Sequence, residues 1–147
     1  MVSKAGITAA EEEYLEAIYA LEEDEKRIAT TRDLAQCLGI KDSSVTEMLK
    51  KLSEKGLVLY TPYRGAALTG TGQEIAAKVK RKHRILERYL VDICGVDLRE
   101  SHKDACEIEH FISEKAIDKL SALLGHPATC PEGRAIPQRK KKMEKRS

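Results

Sequence analysis

The 147-residue sequence has no C-x-x-C pair, no H-E-x-x-H and no run of about 18 apolar residues. Each absence removes a class of function. Without a long apolar run, no segment reads as a membrane-spanning helix. The N-terminal stretch MVSKAGITAAEEEY lacks the apolar centre of a secretory signal, so the chain is expected in the cytoplasm. Disulfides are disfavoured there. Cys37, Cys94, Cys106 and Cys130 are scattered. Cys37 and Cys94 have apolar neighbours and are expected in the core, whereas Cys106 has polar company. No internal repeat is present. No nucleophile motif accompanies the missing H-E-x-x-H, which weighs against a metalloenzyme.

What the sequence does have is a balanced, globular composition, 41% apolar and 34% charged. The net charge of +2 does not by itself announce a nucleic-acid binder. Its distribution is uneven. Acids gather at residues 11–13 and 22–25, bases at 78–84 and 139–146. The second basic run is expected to be a frayed tail.

The segment HKDACEIEH, residues 102–110, concentrates His102, Cys106, Glu109 and His110. At about 3.6 residues per turn, i,i+3 and i,i+4 spacings place all four on one helical stripe. Such a stripe suits a metal ion. A chance C-x-x-E-H on a solvated helix is the competing reading, and it weakens if other segments supply ligands. Two do. His83 and Glu87 are i,i+4, and Glu13 and Glu16 are i,i+3. Taken singly, these are a surface ion pair and N-terminal acids favouring a helix dipole. Taken together they offer enough donors for two adjacent metal sites.

Helical periodicity predicts a first helix from Ala9 to about Glu23, with Thr8 and Glu11 forming a capping box. TTRDLAQCLGI predicts a short helix capped by Thr30 and ended by Gly39. A second helix follows over 43–54, capped near Asp42 or Ser43, giving a helix-turn-helix. Residues 57–72 read as a β-hairpin turning at Tyr63-Arg64-Gly65, a wing with Arg64 at its tip. Thr71 is expected to cap a long helix from Gly72 to about Ile93. Residues 102–125 are predicted helical in two pieces, and 126–137, rich in Pro and Gly, as loop.

With these elements in place, the sequence resembles the diphtheria toxin repressor family of iron- and manganese-dependent transcriptional regulators. The matching segments are EEEYLEAIYALEE, SSVTEMLKKLSEKGLV, YRGAALTGTG, RKHRILERYLVDICGVD, HKDACEIEH and CPEGRAIP, in the family's order. The resemblance implies two metal sites. In the iron branch a primary site would use Cys106, Glu109 and His110 with a residue at position 13. An ancillary site would use His83, Glu87 and His102. In the manganese branch an acid stands at 13, Glu16 and His83 join the cluster, and a carboxylate replaces Cys106. This sequence mixes the two patterns. Its length implies the short form, without the C-terminal β-barrel domain.

The resulting expectation is a mostly α protein. A winged helix-turn-helix occupies residues 1–73, a helical metal-binding and dimerisation domain 74–137, and a basic tail 138–147. The function expected is a homodimeric, metal-dependent repressor of iron or manganese homeostasis genes, not an enzyme, acting on palindromic double-stranded operator DNA away from membranes. A manganese-selective regulator is the alternative. The cofactor is a divalent transition metal, Fe(II) ahead of Mn(II). Ser43, Ser44, Thr46 and Glu47 would meet bases or phosphates, and Lys50, Lys51 and Arg64 would meet phosphates.

Overall fold

The computed structural model describes residues 6–139, so the basic tail from Lys140 onward lies outside the described residues. The chain divides into two compact units, residues 1–79 and 80–147. The first holds α1 (Ala9–Glu25), α2 (Thr31–Leu38), α3 (Asp42–Glu54), β1 (Val58–Thr61), β2 (Gly65–Leu68) and the start of α4 (Gly70–Asp92). The second holds the rest of α4, then α5 (Leu98–Ile108) and α6 (Glu114–Leu123).

Local chemistry sets these boundaries. Thr8 and Glu11 close the expected capping box on α1, and Thr30 and Asp33 close another on α2. Gly39 ends α2 in the left-handed conformation. Two expected caps are replaced. Lys41, not Asp42 or Ser43, is the N-cap of α3, and it makes no side-chain cap bond. Thr69, not Thr71, caps α4: its hydroxyl accepts from Gly72 N at 3.1 Å. The same hydroxyl donates to Gly56 O at 2.7 Å, a contact no local pattern reveals.

β1 and β2 pair antiparallel from Val58↔Leu68 to Thr61↔Gly65, leaving Pro62, Tyr63 and Arg64 as the turn. Ala29 extends this ribbon by a single bridge to Ala66. The close approach requires glycine: a Cβ on Gly65 would lie 2.2 Å from Ala29 O. Gly72 faces the same constraint, with a Cβ 2.0 Å from Leu57 O. Inside the first unit, Leu15, Ile18, Leu34, Val45, Leu49, Leu52 and Val58 are fully enclosed. Each such side chain contributes about 1.5–3 kcal/mol by leaving water. In the second unit Ile85, Leu86, Ala105, Ile117 and Ile136 form a smaller core.

The cysteine expectation is corrected. Cys37 and Cys94 are exposed, and Cys130 is the buried one. Cys37 lies near the end of α2, whose core positions go to Leu34 and Ala35, and Cys94 follows the end of α4. Apolar neighbours in sequence do not fix the direction in which a helix faces.

Glu11 is enclosed and accepts both Thr8 N and Lys55 Nζ, the latter at 2.7 Å. Burial pushes its carboxyl up, but the Lys55 and Thr8 hydrogen bonds and the Lys55 charge outweigh it and leave the carboxyl below its usual value. The resulting stability is therefore present above the unfolded value, about 4.3, and is lost as pH falls through the folded value. Glu11→Gln should cost about 1–3 kcal/mol at neutral pH in urea unfolding. The difference from the parent should shrink as the pH drops below 4.

Candidate metal centre

α4 and α5 each present two donors one helical turn apart, His83 with Glu87 and His102 with Cys106. Glu109 follows as the C-cap of α5 and His110 lies in the turn beyond it, so the stripe is not one continuous helix. These side chains, from α4, α5 and the turn after α5, converge within the second unit. His83 Nδ1 lies 2.8 Å from Glu109 Oε2, and His83 Nε2 lies 3.2 Å from His102 Nδ1. His83 Nε2 also pairs closely with Glu87 Oε1, and His102 Nδ1 lies 3.2 Å from that oxygen. Cys106 Sγ stands 3.7 Å from His102 Nε2 and 3.9 Å from His83 Nδ1. His110 Nε2 is 3.4 Å from Glu109 Oε1.

Burial gives this geometry its chemical meaning. His83, Glu87 and Glu109 are buried, while His102 remains exposed at the cluster's edge. Two carboxylates out of water cost several kcal/mol each unless positive charge and hydrogen bonds compensate. Glu87 Oε2 is buried without a hydrogen-bond partner. Burial pushes the Glu87 carboxyl up. The adjoining His83, and then His102, more than reverse this and hold it below its ordinary value. Donor atoms of His83, His102 and Cys106 lie within 4.8 Å of one another, as do those of Glu87, His102 and Glu132. Imidazole, carboxylate and thiolate together fit a divalent transition ion.

Glu132 was missed by sequence reasoning. Its signal was weak, a single acid in the Pro/Gly-rich CPEGRAIP segment. Glu13 and Glu16 lie on α1 in the first unit, exposed and half-buried respectively.

The first unit displays the other candidate surface. Ser43, Ser44, Glu47, Lys50 and Lys51 are exposed on α3, whose opposite face buries Val45, Leu49 and Leu52. Thr46 is half-buried and its hydroxyl donates to Asp42 O at 3.1 Å. Arg64 is exposed at the turn. Beside it stands Tyr63, fully exposed with φ 67°, an aromatic at the wing tip that sequence reasoning passed over.

The model of the iron dependent repressor N-terminal DNA binding domain matches residues 7–66. The model of the iron dependent repressor metal binding and dimerisation domain matches residues 69–138. The chain belongs to the iron-dependent repressor family. Members of this family are metal-dependent, DNA-binding transcriptional regulators, not enzymes. The HTH-type transcriptional regulator MntR of Shouchella clausii is 41% identical over 117 residues, 80% of each chain. An uncharacterized HTH-type transcriptional regulator of Methanocaldococcus jannaschii is 39% identical over 113 residues, 77% of this chain and 90% of that one. Among solved structures, a manganese-dependent transcriptional repressor in complex with manganese superposes with TM-score 0.82 at 33% identity. The match covers 87% of this chain and 58% of that one. The manganese regulator SloR gives TM-score 0.77 at 35% identity, again over 87% of this chain. The present chain spans 59% of SloR's length. No described helix is long and apolar enough to cross a membrane.

His83 lies between the Glu87 and Glu109 carboxylates, so removing the imidazole exposes their mutual repulsion. With a chelator present, His83→Ala should lower the stability of this repressor by about 3 kcal/mol. Urea unfolding checks this. Equal stability of mutant and parent would show that the cluster is not an electrostatic unit in the metal-free protein.

Proposed function

We propose that this chain is a metal-activated, homodimeric winged-helix repressor that acts in the cytoplasm on palindromic operators of iron or manganese homeostasis genes. The observation that carries this reading is the buried cluster of His83, Glu87 and Glu109 with His102 and Cys106 at its edge, including a carboxylate oxygen left without a partner. A divalent ion, Fe(II) ahead of Mn(II), would supply the positive charge these carboxylates call for. Cys106, Glu109 and His110, with Glu13, would hold it in the primary position. His83, Glu87 and His102 would form the ancillary one, and Glu16 would join as in the manganese branch. The direct bond between His83 and Glu109 favours a blended arrangement, because it links one residue of each set.

The acids explain why activation is needed. Without an ion the gathered carboxylates would repel one another. Once Glu13 and Glu16 share the ligand set with α5 residues, α1 becomes a strut carrying the winged helix. Two copies of α3 must enter major grooves at matching half-sites, so small changes in this strut alter operator affinity. Ser43, Ser44, Thr46 and Glu47 are assigned to the groove, Lys50, Lys51 and Arg64 to phosphates. Dimerisation is supported by the exposed Ile93, Leu98, Ile108, Phe111 and Leu123 of the second unit, a set of apolar side chains that a second copy would cover.

An anaerobic operator-binding titration with Fe(II) and Mn(II) tests the reading. Wild type should bind operator only with metal, Fe(II) activating best and Mn(II) close behind. Glu109→Ala and His110→Ala should each abolish activation by both ions. Replacing Cys106 by Asp removes a soft donor and should tilt the response toward Mn(II) without abolishing it. Metal-independent operator binding would overturn the proposal.

Arg64 is expected to touch the DNA backbone. Arg64→Ala should weaken binding about equally for all sequences and reduce the salt slope by about one phosphate contact. A changed preference at one base pair would reassign Arg64 to base readout.

A further inference from the structure

Within the first unit, α1 touches both DNA-reading elements through carboxylates near its two ends. Near its start, Glu11 is enclosed and accepts Lys55 Nζ with both oxygens, at 3.0 and 2.7 Å. Lys55 is the C-cap of α3. Near its end, Glu22 Oε1 accepts the backbone N–H of Leu68, the last residue of β2, at 3.0 Å. Ala29 holds the same edge of the wing: its N–H donates to Ala66 O at 3.2 Å, and Ala66 N donates to Ala29 O at 2.8 Å. The edge of β2 away from β1 is thus closed by α1 and the segment that follows it. Glu11 and Glu22 are eleven residues apart. At about 100° per residue that is about three turns, so both carboxylates leave one face of α1. Leu15 and Ile18 lie between them on that face and are fully enclosed. Glu13 and Glu16 lie about 140–200° around the helix from Glu11. Glu13 is exposed and Glu16 half-buried. The helix therefore carries two sets of acids on opposed faces.

We propose that Glu11 and Glu22 are positioning residues that couple metal occupancy to operator binding: they fasten α3 and the wing to α1, so an ion that fixes the opposite face of this helix also fixes both reading elements. The proposal rests on the metal-regulator reading above, in which Glu13 and Glu16 join the ligand set, and names the contacts through which that ligation reaches DNA. The two contacts differ in kind. Glu11 and Lys55 form a charge-assisted pair that ties the end of α3 to the start of α1. Glu22 gives a single acceptor to the wing backbone. That bond matters because the wing is a ribbon of two four-residue strands, a structure that is marginal by itself. Its position depends on what closes its outer edge. A wing released at Leu68 would still be bridged to Ala29, but Arg64 at its turn would be held less firmly, and binding would have to order it. Glu22 is also the cleaner of the two to test, since Glu11 closes the capping box of α1 as well.

The test is the change in Mn(II) affinity of the full chain on adding an operator duplex, the duplex being selected from random sequence by the metal-loaded wild type. By linkage this change equals the change in operator affinity on adding Mn(II). Glu22→Ala should leave the Mn(II) affinity of the free protein as it is and reduce the operator-induced change roughly 3–10-fold, the range for one hydrogen bond. Glu22→Gln keeps an acceptor oxygen and should restore most of it. In an Arg64→Ala background Glu22→Ala should have little further effect, because both act through the wing. Lys55→Gln should reduce the change as well and should add to Glu22→Ala, because it acts through α3. A merely structural role for Glu22 would weaken operator binding with and without metal alike and leave the change at its wild-type size. That result would overturn the proposal, as would full additivity of Glu22→Ala with Arg64→Ala, and both leave the metal-regulator reading intact. A wild type whose Mn(II) affinity does not respond to operator at all would overturn both.

Discussion

Two buried carboxylates set against one imidazole are the constraint from which the second unit's chemistry follows. Glu87 and Glu109 are withdrawn from water on either side of His83. A protein optimised for stability alone would fill this space with apolar side chains, since replacing buried ion pairs by well-packed hydrophobes is often neutral or favourable. Keeping the charges means keeping a site whose energy depends on what cation occupies it. The apolar core around it is small, Ile85, Leu86, Ala105, Ile117 and Ile136. A metal bound as proposed would therefore add to what holds these helices in one arrangement.

The first unit is built on different terms. Its core is continuous and its helix ends are closed by reciprocal capping boxes at Thr8–Glu11 and Thr30–Asp33. Arg27 adds a bidentate pair to Asp33, and that pair, with the Thr30 bonds, holds the Asp33 carboxyl well below the usual range. Gly65 and Gly72 let backbone meet backbone where a methyl group would collide. These features hold α3 and the wing in place within the first unit. The first unit thus has the larger apolar core, and the second carries the paired buried carboxylates. That division suits a regulator in which an ion must change something while the reading head must not.

The mixed set of donor side chains would bear on metal choice if it holds the ion as proposed. Cys106 brings a soft donor and Glu109 a hard one to the same imidazole, His83, with His102 adjoining both sides. Affinity alone follows the Irving–Williams order and would favour ions other than iron or manganese. Selectivity in such a site has to come from which ion draws the ligands into the geometry that activates, rather than from which binds most tightly.

Local sequence determined much of this molecule. Capping residues, apolar spacing and the YRG turn were sufficient to place α1, α2, the wing and the division of residues 102–125, because each depends on neighbours within one or two turns. The pairs His83–Glu87 and His102–Cys106 were legible for the same reason. Tertiary structure decided the rest. It turned Cys37 and Cys94 outward, gave the α4 cap to Thr69 through its contact with Gly56, and put Glu109 at the end of α5 instead of within it. It also brought Glu132 to Glu87 across 45 residues of chain. No periodicity encodes that approach, which depends on Arg84 and Arg88 binding the backbone of a loop whose own sequence specifies only a turn.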